Sequence, residues 1–219
     1  MKQVVVIGLG QFGSHLSRQL SHMNCEVLAM DRDEEAVSAV RDEVQQAVIC
    51  DARNFDALNA VVTSNVDEAI VSLGESMEPS IICTLHLSQI GVNQIRAKSV
   101  SEDHATILKA VGAHEVIFPE RETAERTARR VAYPTLLDYF PFHEDHRIME
   151  VALPKALAGK TLGESDLRKE FDLLVLAKKS AQSGEFSFMP SADDVLHASD
   201  ILIVLGREVN LVRLSVLDG

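Results

Sequence analysis

Short apolar segments alternate with amphipathic stretches through the first half of the chain. The apolar segments predict strands at 4–8, 26–30, 46–50, 68–73, 93–97 and 114–118. The stretches between them predict helices at 11–23, 33–43, 54–62, 76–91 and 101–112. Strands that alternate with helices form a parallel sheet covered on both faces. We therefore predict an α/β chain whose N-terminal domain is a Rossmann-like parallel sheet.

The pattern changes after residue 118. Residues 119–132 predict one further helix. The segment YPTLLDYFPF that follows contains two prolines and is rich in aromatic residues, so it is interpreted either as a buried elbow or as a helical crossover that packs on another subunit. Strand patterns then recur at 147–153, 172–179, 185–189 and 200–206, with short helices at 164–171 and 207–219. We predict a domain at 1–132, a linker at 133–145, and a small α+β C-terminal domain at 146–219.

A glycine motif follows the first predicted strand. Gly8, Gly10 and Gly13 have the GxGxxG spacing, and Asp31 ends the second predicted strand. In a nucleotide site the first glycine makes the turn, the second lets the backbone approach phosphate, and the third lets the helix pack closely on the strand. The helix N-terminus offers N–H groups to the phosphates, and the acid accepts bonds from ribose hydroxyls. The alternative is that the glycines serve packing alone.

The ends of later predicted strands point to the same crevice, because ligands bind outside the carboxyl ends of such strands. Asp51 could bond an adenine amino group or cap the helix predicted at 54–62. Lys98 could meet phosphate or be solvated. The predicted binding residues are Gly8, Gly10, Gln11, Phe12, Gly13, Asp31, Arg32, Asp51, Ala52, Ser72, Gly74 and Lys98.

Charge and composition exclude several classes of function. A net charge of -12 argues against a nucleic-acid partner. No apolar run has the length of a membrane span, and residues 1–8 do not form a signal peptide, so we expect a cytoplasmic protein without direct membrane insertion. No acid–base pair or nucleophile motif stands out in the second half, so we predict no catalytic residues and no enzyme activity.

Seven segments together resemble one known family. They are VIGLGQFG (6–13), EVLAMD (26–31), ICDA (49–52), AKSV (97–100), KAVGAHEVIFPE (109–120), LAGKTLGESDLR (157–168) and SDILIVLG (199–206). The chain resembles the RCK (KTN) regulators of potassium transport, of the KtrA/TrkA type. The resemblance implies a cytosolic subunit that forms homodimers and then an octameric ring beneath a membrane potassium transporter or channel. It also implies gating by ATP/ADP or NAD(H).

The resemblance also implies roles for individual residues. Glu120 resembles a glutamate that helps to hold Mg²⁺ or another divalent cation by the terminal phosphate, and oxygen ligands suit that ion. Its alternative role is to stabilise its own helix N-terminus. Gln11 stands where many KtrA-type members have an arginine. Arg168 would meet phosphate if the C-terminal domain bound cyclic di-AMP, as in some relatives, and would otherwise pair with a neighbouring acid.

A second function stays open at this point. The glycine motif with Asp31 also suits an NAD(H)-binding redox sensor or an oxidoreductase with a reduced second domain.

Overall fold

A computed structural model describes residues 1–73, 77–132, 136–143, 145–181 and 183–217, with backbone only for residues 129–130 and 136–143. The chain divides into two compact units, Met1–Glu122 and Thr123–Gly219. Among the described residues, no helix has both the length and the apolar character that crossing a bilayer requires.

The first unit contains a six-stranded sheet with helices between the strands. Its strands are β1 (Gln3–Ile7), β2 (Glu26–Asp31), β3 (Gln46–Ile49), β4 (Glu68–Val71), β5 (Ile95–Lys98) and β6 (Glu115–Ile117). Its helices are α1 (Gln11–His22), α2 (Glu34–Ser38), α3 (Phe55–Val61), α4 (Met77–Ile90), α5 (Glu102–Ala110) and the first residues of α6 (Pro119–Ala132). The predicted alternation of strands and helices is therefore confirmed.

All strands of this sheet are parallel, in the order β3-β2-β1-β4-β5-β6. This is the doubly wound order of a Rossmann fold, which confirms the predicted fold class. Successive residues of β1 enter two different cores: Val5 and Ile7 belong to one cluster, and Val4 and Val6 to the other. A strand buried on both faces needs such a continuous apolar run. The crevice between β1 and β4, where the strand order reverses, is the expected place for a ligand.

The second unit contains a five-stranded antiparallel sheet in the order β10-β9-β11-β8-β7. The strands are β7 (Leu136–His143), β8 (His146–Ala152), β9 (Leu174–Lys179), β10 (Phe186–Phe188) and β11 (Ile201–Arg207). A 3₁₀ turn (Lys155–Leu157) and two helices, α7 (Leu167–Glu170) and α8 (Glu208–Ser215), accompany it. Leu211 and Leu214 of α8 share one buried cluster with Leu202 and Val204 of β11, so one face of the sheet forms the core.

The aromatic segment at 133–142 differs from its prediction. Its first three residues lie outside the described part of the chain, and the rest belongs to the strand β7, so a helical crossover is wrong for the described residues. Among the described strands, β7 pairs with β8 alone and lies at the edge of the sheet. An edge strand tolerates a proline such as Pro141, because its N–H side need not join the ladder. The predicted domain boundaries stay a prediction.

Candidate functional site

The turn between β1 and α1 requires two of its glycines for packing. Gly8 has a φ of +94°, and a Cβ there would lie 2.8 Å from the carbonyl of Ser72. A Cβ on Gly13 would lie 1.8 Å from the backbone oxygen of Gly8. A side chain at either position would therefore clash, and glycine lets α1 and β4 pack closely against the end of β1.

Gly10 differs from its two neighbours. Its φ of -62° is open to any residue, and a Cβ there would have no atom within 4 Å. Nothing in the described structure requires a glycine at this position. The missing side chain instead keeps space open above the first turn of α1, where a phosphate group would need to approach the backbone.

The N-terminus of α1 is suited to an anion. Gly10 is its N-cap and brings no capping side chain, and no acidic residue lies in the first turn. The first intrahelical bond runs from the N–H of Ser14 to the carbonyl of Gly10, at 2.9 Å. The N–H groups before it point out of the helix end, where a helix carries partial positive charge.

A cavity of about 450 Å³ opens above this turn, at the carboxyl ends of the parallel strands. It is lined by Ile7, Gly8, Gly10, Gln11, Phe12, Asp31, Arg32, Cys50, Asp51, Ala52, Arg53, Ser72, Leu73, Pro79, Lys98 and Glu120. The structure thus brings together the predicted binding residues with two exceptions. Gly13 packs behind Gly8, and Gly74 lies outside the described residues.

Asp31 ties the end of β2 to the glycine turn. Its Oδ2 accepts a hydrogen bond from the N–H of Leu9 at 2.6 Å, and its Oδ1 accepts one from the N–H of Asp33 at 3.0 Å. A carboxylate has about four lone-pair positions. Acceptor capacity therefore remains for ribose hydroxyls after both backbone bonds are made.

Asp51 pairs with Arg53, a residue that sequence reasoning missed. The guanidinium Nη2 lies 2.6 Å from Oδ2, and Nε lies 3.0 Å from Oδ1. These bonds, and then the N–H of Arg53, lower the pKa of Asp51 to about 2. Asn54 caps α3 by accepting from the N–H of Ala57, so the alternative of Asp51 as that cap is wrong. The sequence signal for Arg53 was its spacing, two residues after an acid at a strand end.

Lys98 and Glu120 meet across the cavity. Nζ of Lys98 donates to Oε1 of Glu120 at 2.5 Å, and this bond is the main reason that the pKa of Glu120 is lowered. Only 14% of the Lys98 side chain is exposed, so the alternative of a solvated lysine is wrong. The described residues contain no group of three or more acidic, histidine or cysteine side chains arranged to hold a metal ion.

Apolar side chains form part of the wall, and sequence reasoning missed these too. Ile7 is the last residue of β1, Leu73 follows the end of β4, and Pro79 lies in the first turn of α4. Cys50 joins them beside Asp51, and burial is the main reason that the pKa of its thiol is raised. The site therefore combines an apolar wall with a few charged groups, as ligand pockets do.

Comparisons with known proteins agree with this architecture. The family model of the TrkA-N domain matches residues 4–119, and that of the TrkA-C domain matches residues 147–215. The Ktr system potassium uptake protein C of Bacillus subtilis is 35% identical over 212 residues, which cover 97% of this chain and 95% of that protein. The Ktr system potassium uptake protein A of the same organism is 28% identical over 97% of this chain and 95% of its own length.

Solved structures share the fold. A GsuK channel bound to NAD superposes with a TM-score of 0.63 at 18% identity, over 100% of this chain. This chain spans 39% of the length of that channel. The two domain models match the two halves of the sequence in turn. The Ktr relatives align with nearly the whole sequence. The chain belongs to the KtrA/TrkA-type RCK proteins, in which a TrkA-N domain precedes a TrkA-C domain.

Proposed function

We propose that this chain is a cytosolic, nucleotide-sensing regulatory subunit that gates a membrane potassium transporter or channel. Membership of the TrkA family supports the link to potassium transport, and so do the names of the Ktr potassium uptake relatives. The cavity above the glycine turn supports the sensing role.

The observation that carries the sensing role is the open space at Gly10. The protein's own packing does not need a glycine there, but a phosphate group at the α1 N-terminus does. Asp31 would accept bonds from the ribose, and Asp51 with Ala52 would lie at the adenine. Lys98 and Arg53 supply positive charge to a cavity in an otherwise acidic chain. An adenine nucleotide, ATP/ADP or NAD(H), fits this donor set best.

Gating in this proposal is a matter of differential affinity. The subunit forms homodimers and then an octameric ring, and each ring shape binds the nucleotide with its own affinity. The ligand can bias the pore only by the difference between those affinities. No catalytic residue is needed for this.

Two finer parts of the proposal concern further ligands. A divalent cation such as Mg²⁺ would bind at Glu120 once a nucleotide supplied additional oxygen ligands. Cyclic di-AMP would bind at the second unit near Arg168, which lies exposed in α7.

The test is thermal stabilisation of the full chain by ATP, ADP, NAD, NADH and cyclic di-AMP, each with and without Mg²⁺. A ligand at 100 times its Kd should stabilise the protein by about 2.7 kcal/mol. Gly10→Ala should fold normally and lose the response to adenine nucleotides. Absence of any adenine-nucleotide shift in the wild type contradicts the proposal. Turnover of NADH with a carbonyl substrate would favour an oxidoreductase instead.

The link to transport is tested separately. Potassium uptake by cells that carry the membrane subunit of a Ktr system should rise or fall when this chain is co-expressed, and Gly10→Ala should abolish that change. Equal uptake with and without the chain would contradict the regulatory role.

A further inference from the structure

A buried histidine and a buried serine join the first turns of α5 and α4. His104 of α5 and Ser80 of α4 are both fully buried, and Nε2 of the histidine lies 2.7 Å from Oγ of the serine. Among the described residues this is the only hydrogen bond between the two helices. Neither residue lines the cavity above the glycine turn, so nucleotide binding does not account for the pair.

The hydrogen bonds around the ring fit its neutral form alone. The N–H of Val100 can only donate, and it points to Nδ1 of His104 at 3.5 Å, so this ring nitrogen carries no proton. A neutral imidazole then has its proton on Nε2, which donates to Oγ of Ser80. The hydroxyl proton of Ser80 goes to the carbonyl of Met77, at 2.9 Å. A second proton on the ring would set Nδ1–H against the N–H of Val100, donor against donor.

The surroundings of the ring also disfavour a positive charge. Burial lowers the pKa of His104 below its ordinary value of 6.5, and the start of a helix carries partial positive charge itself. The other titratable side chains on α4, α5, β5 and β6 are Glu78, Cys83, His86, Glu102, Asp103, Lys109, Arg96, Lys98 and Glu115. In the part of the chain that the structure describes, none of these forms a hydrogen bond or ion pair with the ring.

We propose that the Ser80–His104 contact is an acid-sensitive latch, which holds the first turn of α5 against α4 while the ring is neutral and releases it when the ring is protonated. The release stays local, because Leu87 and Leu108 hold the later turns of both helices in the main apolar cluster. The loop before α5 can yield, since Val100 is 56% exposed. This response goes beyond the proposed function, because it needs no nucleotide.

The pH range of the latch follows from the preference for a neutral ring. An ordinary histidine of an opened segment binds a proton as the pH falls below about 6.5, whereas the closed latch binds it only at lower pH. The latch is therefore fully effective above about pH 6.5 and weakens as the pH falls toward the lower pKa of the closed form. The equilibrium constant for opening rises by at most about tenfold per pH unit. Ordinary carboxylates stay mostly ionised down to about pH 5, so they contribute little in this range.

Amide hydrogen exchange of the full chain, followed by NMR between about pH 7.5 and about pH 5, tests the latch. The N–H of Ala105 bonds the carbonyl of Ser101 at 3.0 Å at the start of α5, and its protection factor should fall by up to about tenfold per pH unit. The N–H of Ala69 in β4 reports on global unfolding and should keep its protection. Nitrogen chemical shifts should show the Nε2–H form of His104 at neutral pH. An Nδ1–H form, or an Ala105 amide whose protection is constant or falls only together with that of Ala69, overturns the proposal.

His104→Gln and His114→Gln provide a matched pair of variants. The ring of His114 also accepts from a backbone N–H, that of Ile95 at 3.1 Å, but this histidine is exposed and water can solvate its charge. A glutamine at position 104 does not titrate, so the protection of Ala105 should no longer change between about pH 6.5 and about pH 5, whereas His114→Gln should keep the change. The reverse pattern contradicts the latch. If His104→Gln does not fold, the ring protonation and the exchange of the wild type decide.

Discussion

The floor and the rim of the cavity are held by contacts of different kinds. The floor consists of Gly8 and Asp31, with Gly13 packed behind Gly8. The rim consists of the ion pairs Asp51–Arg53 and Lys98–Glu120. These floor residues meet backbone atoms: Asp31 accepts two backbone hydrogen bonds, and a Cβ on Gly13 would lie 1.8 Å from the oxygen of Gly8. The rim residues meet charged side chains instead, and three of the four are at least 40% exposed. We therefore expect substitutions in the floor to lower the free energy of unfolding more than substitutions in the rim.

The largest expected effect concerns the floor. Gly13→Ala should lower the free energy of unfolding by about 3 kcal/mol or more, because the new methyl group clashes with backbone that cannot move without separating α1 from β1. Urea unfolding followed by circular dichroism measures the loss.

Gly10→Ala is the control three residues earlier in the same motif. A methyl group there meets no protein atom, so the stability loss should stay below about 1 kcal/mol, the usual range for an unfavourable N-cap residue. Equal losses for Gly10→Ala and Gly13→Ala would remove the distinction between a packing glycine and a ligand glycine.

A smaller effect is expected at Asp31. Asp31→Ala leaves the N–H groups of Leu9 and Asp33 without their carboxylate partner and should cost about 2 kcal/mol in the free energy of unfolding. It should also remove stabilisation by adenine nucleotides, which a thermal shift assay detects.

Asp33→Ala provides the matched control. Asp33 caps α2 by accepting from the N–H of Glu35, so its loss should cost about 1 kcal/mol while nucleotide binding is kept. If Asp31→Ala is as stable as the wild type, Asp31 belongs with the rim rather than the floor.

The floor residues could be predicted from the sequence, because their positions depend on where the strands end. The period of apolar residues predicted β1 at 4–8, and the structure has it at Gln3–Ile7. Once the strand ends are right, parallel pairing brings Gly8 and Asp31 to one edge without further information. The helix predicted at 33–43 is shorter in the structure, Glu34–Ser38. Val40 still enters the same core as Val37, but the chain there forms turns, in which the N–H of Val40 bonds the carbonyl of Val37, three residues back.

The rim residues could be predicted from the sequence only in part. Lys98 and Glu120 were each candidates, but their contact joins residues 22 positions apart and depends on side-chain conformations that no spacing rule describes. Arg53 was missed because an exposed arginine after a strand gives no apolar or glycine signal. β7 was missed because the prolines of its segment disfavour a strand, and only its edge position, a property of the assembled sheet, makes Pro141 acceptable.

The smallest expected effect concerns the Asp51–Arg53 pair of the rim. The pKa of Asp51 is about 2 in the folded chain, below the ordinary value of 3.8, chiefly because Arg53 donates to it. A depressed pKa means that the folded state favours the charged carboxylate. The resulting stability is present above about pH 4 and is lost as the pH falls through 2. Carbon-detected NMR titration should show the pKa of Asp51 rising toward 3.8 in Arg53→Ala.

The accompanying change in stability is small, because 40% of the Asp51 side chain is exposed and water screens the pair. After that screening we expect Arg53→Ala to lower the free energy of unfolding only slightly at pH 7, with the difference lost as the pH falls through 2. An ordinary pKa for Asp51 in the wild type would show that the pair is not kept in solution. Asp51 would then face the cavity as a free carboxylate, and an adenine amino group would not have to compete with Arg53 for it.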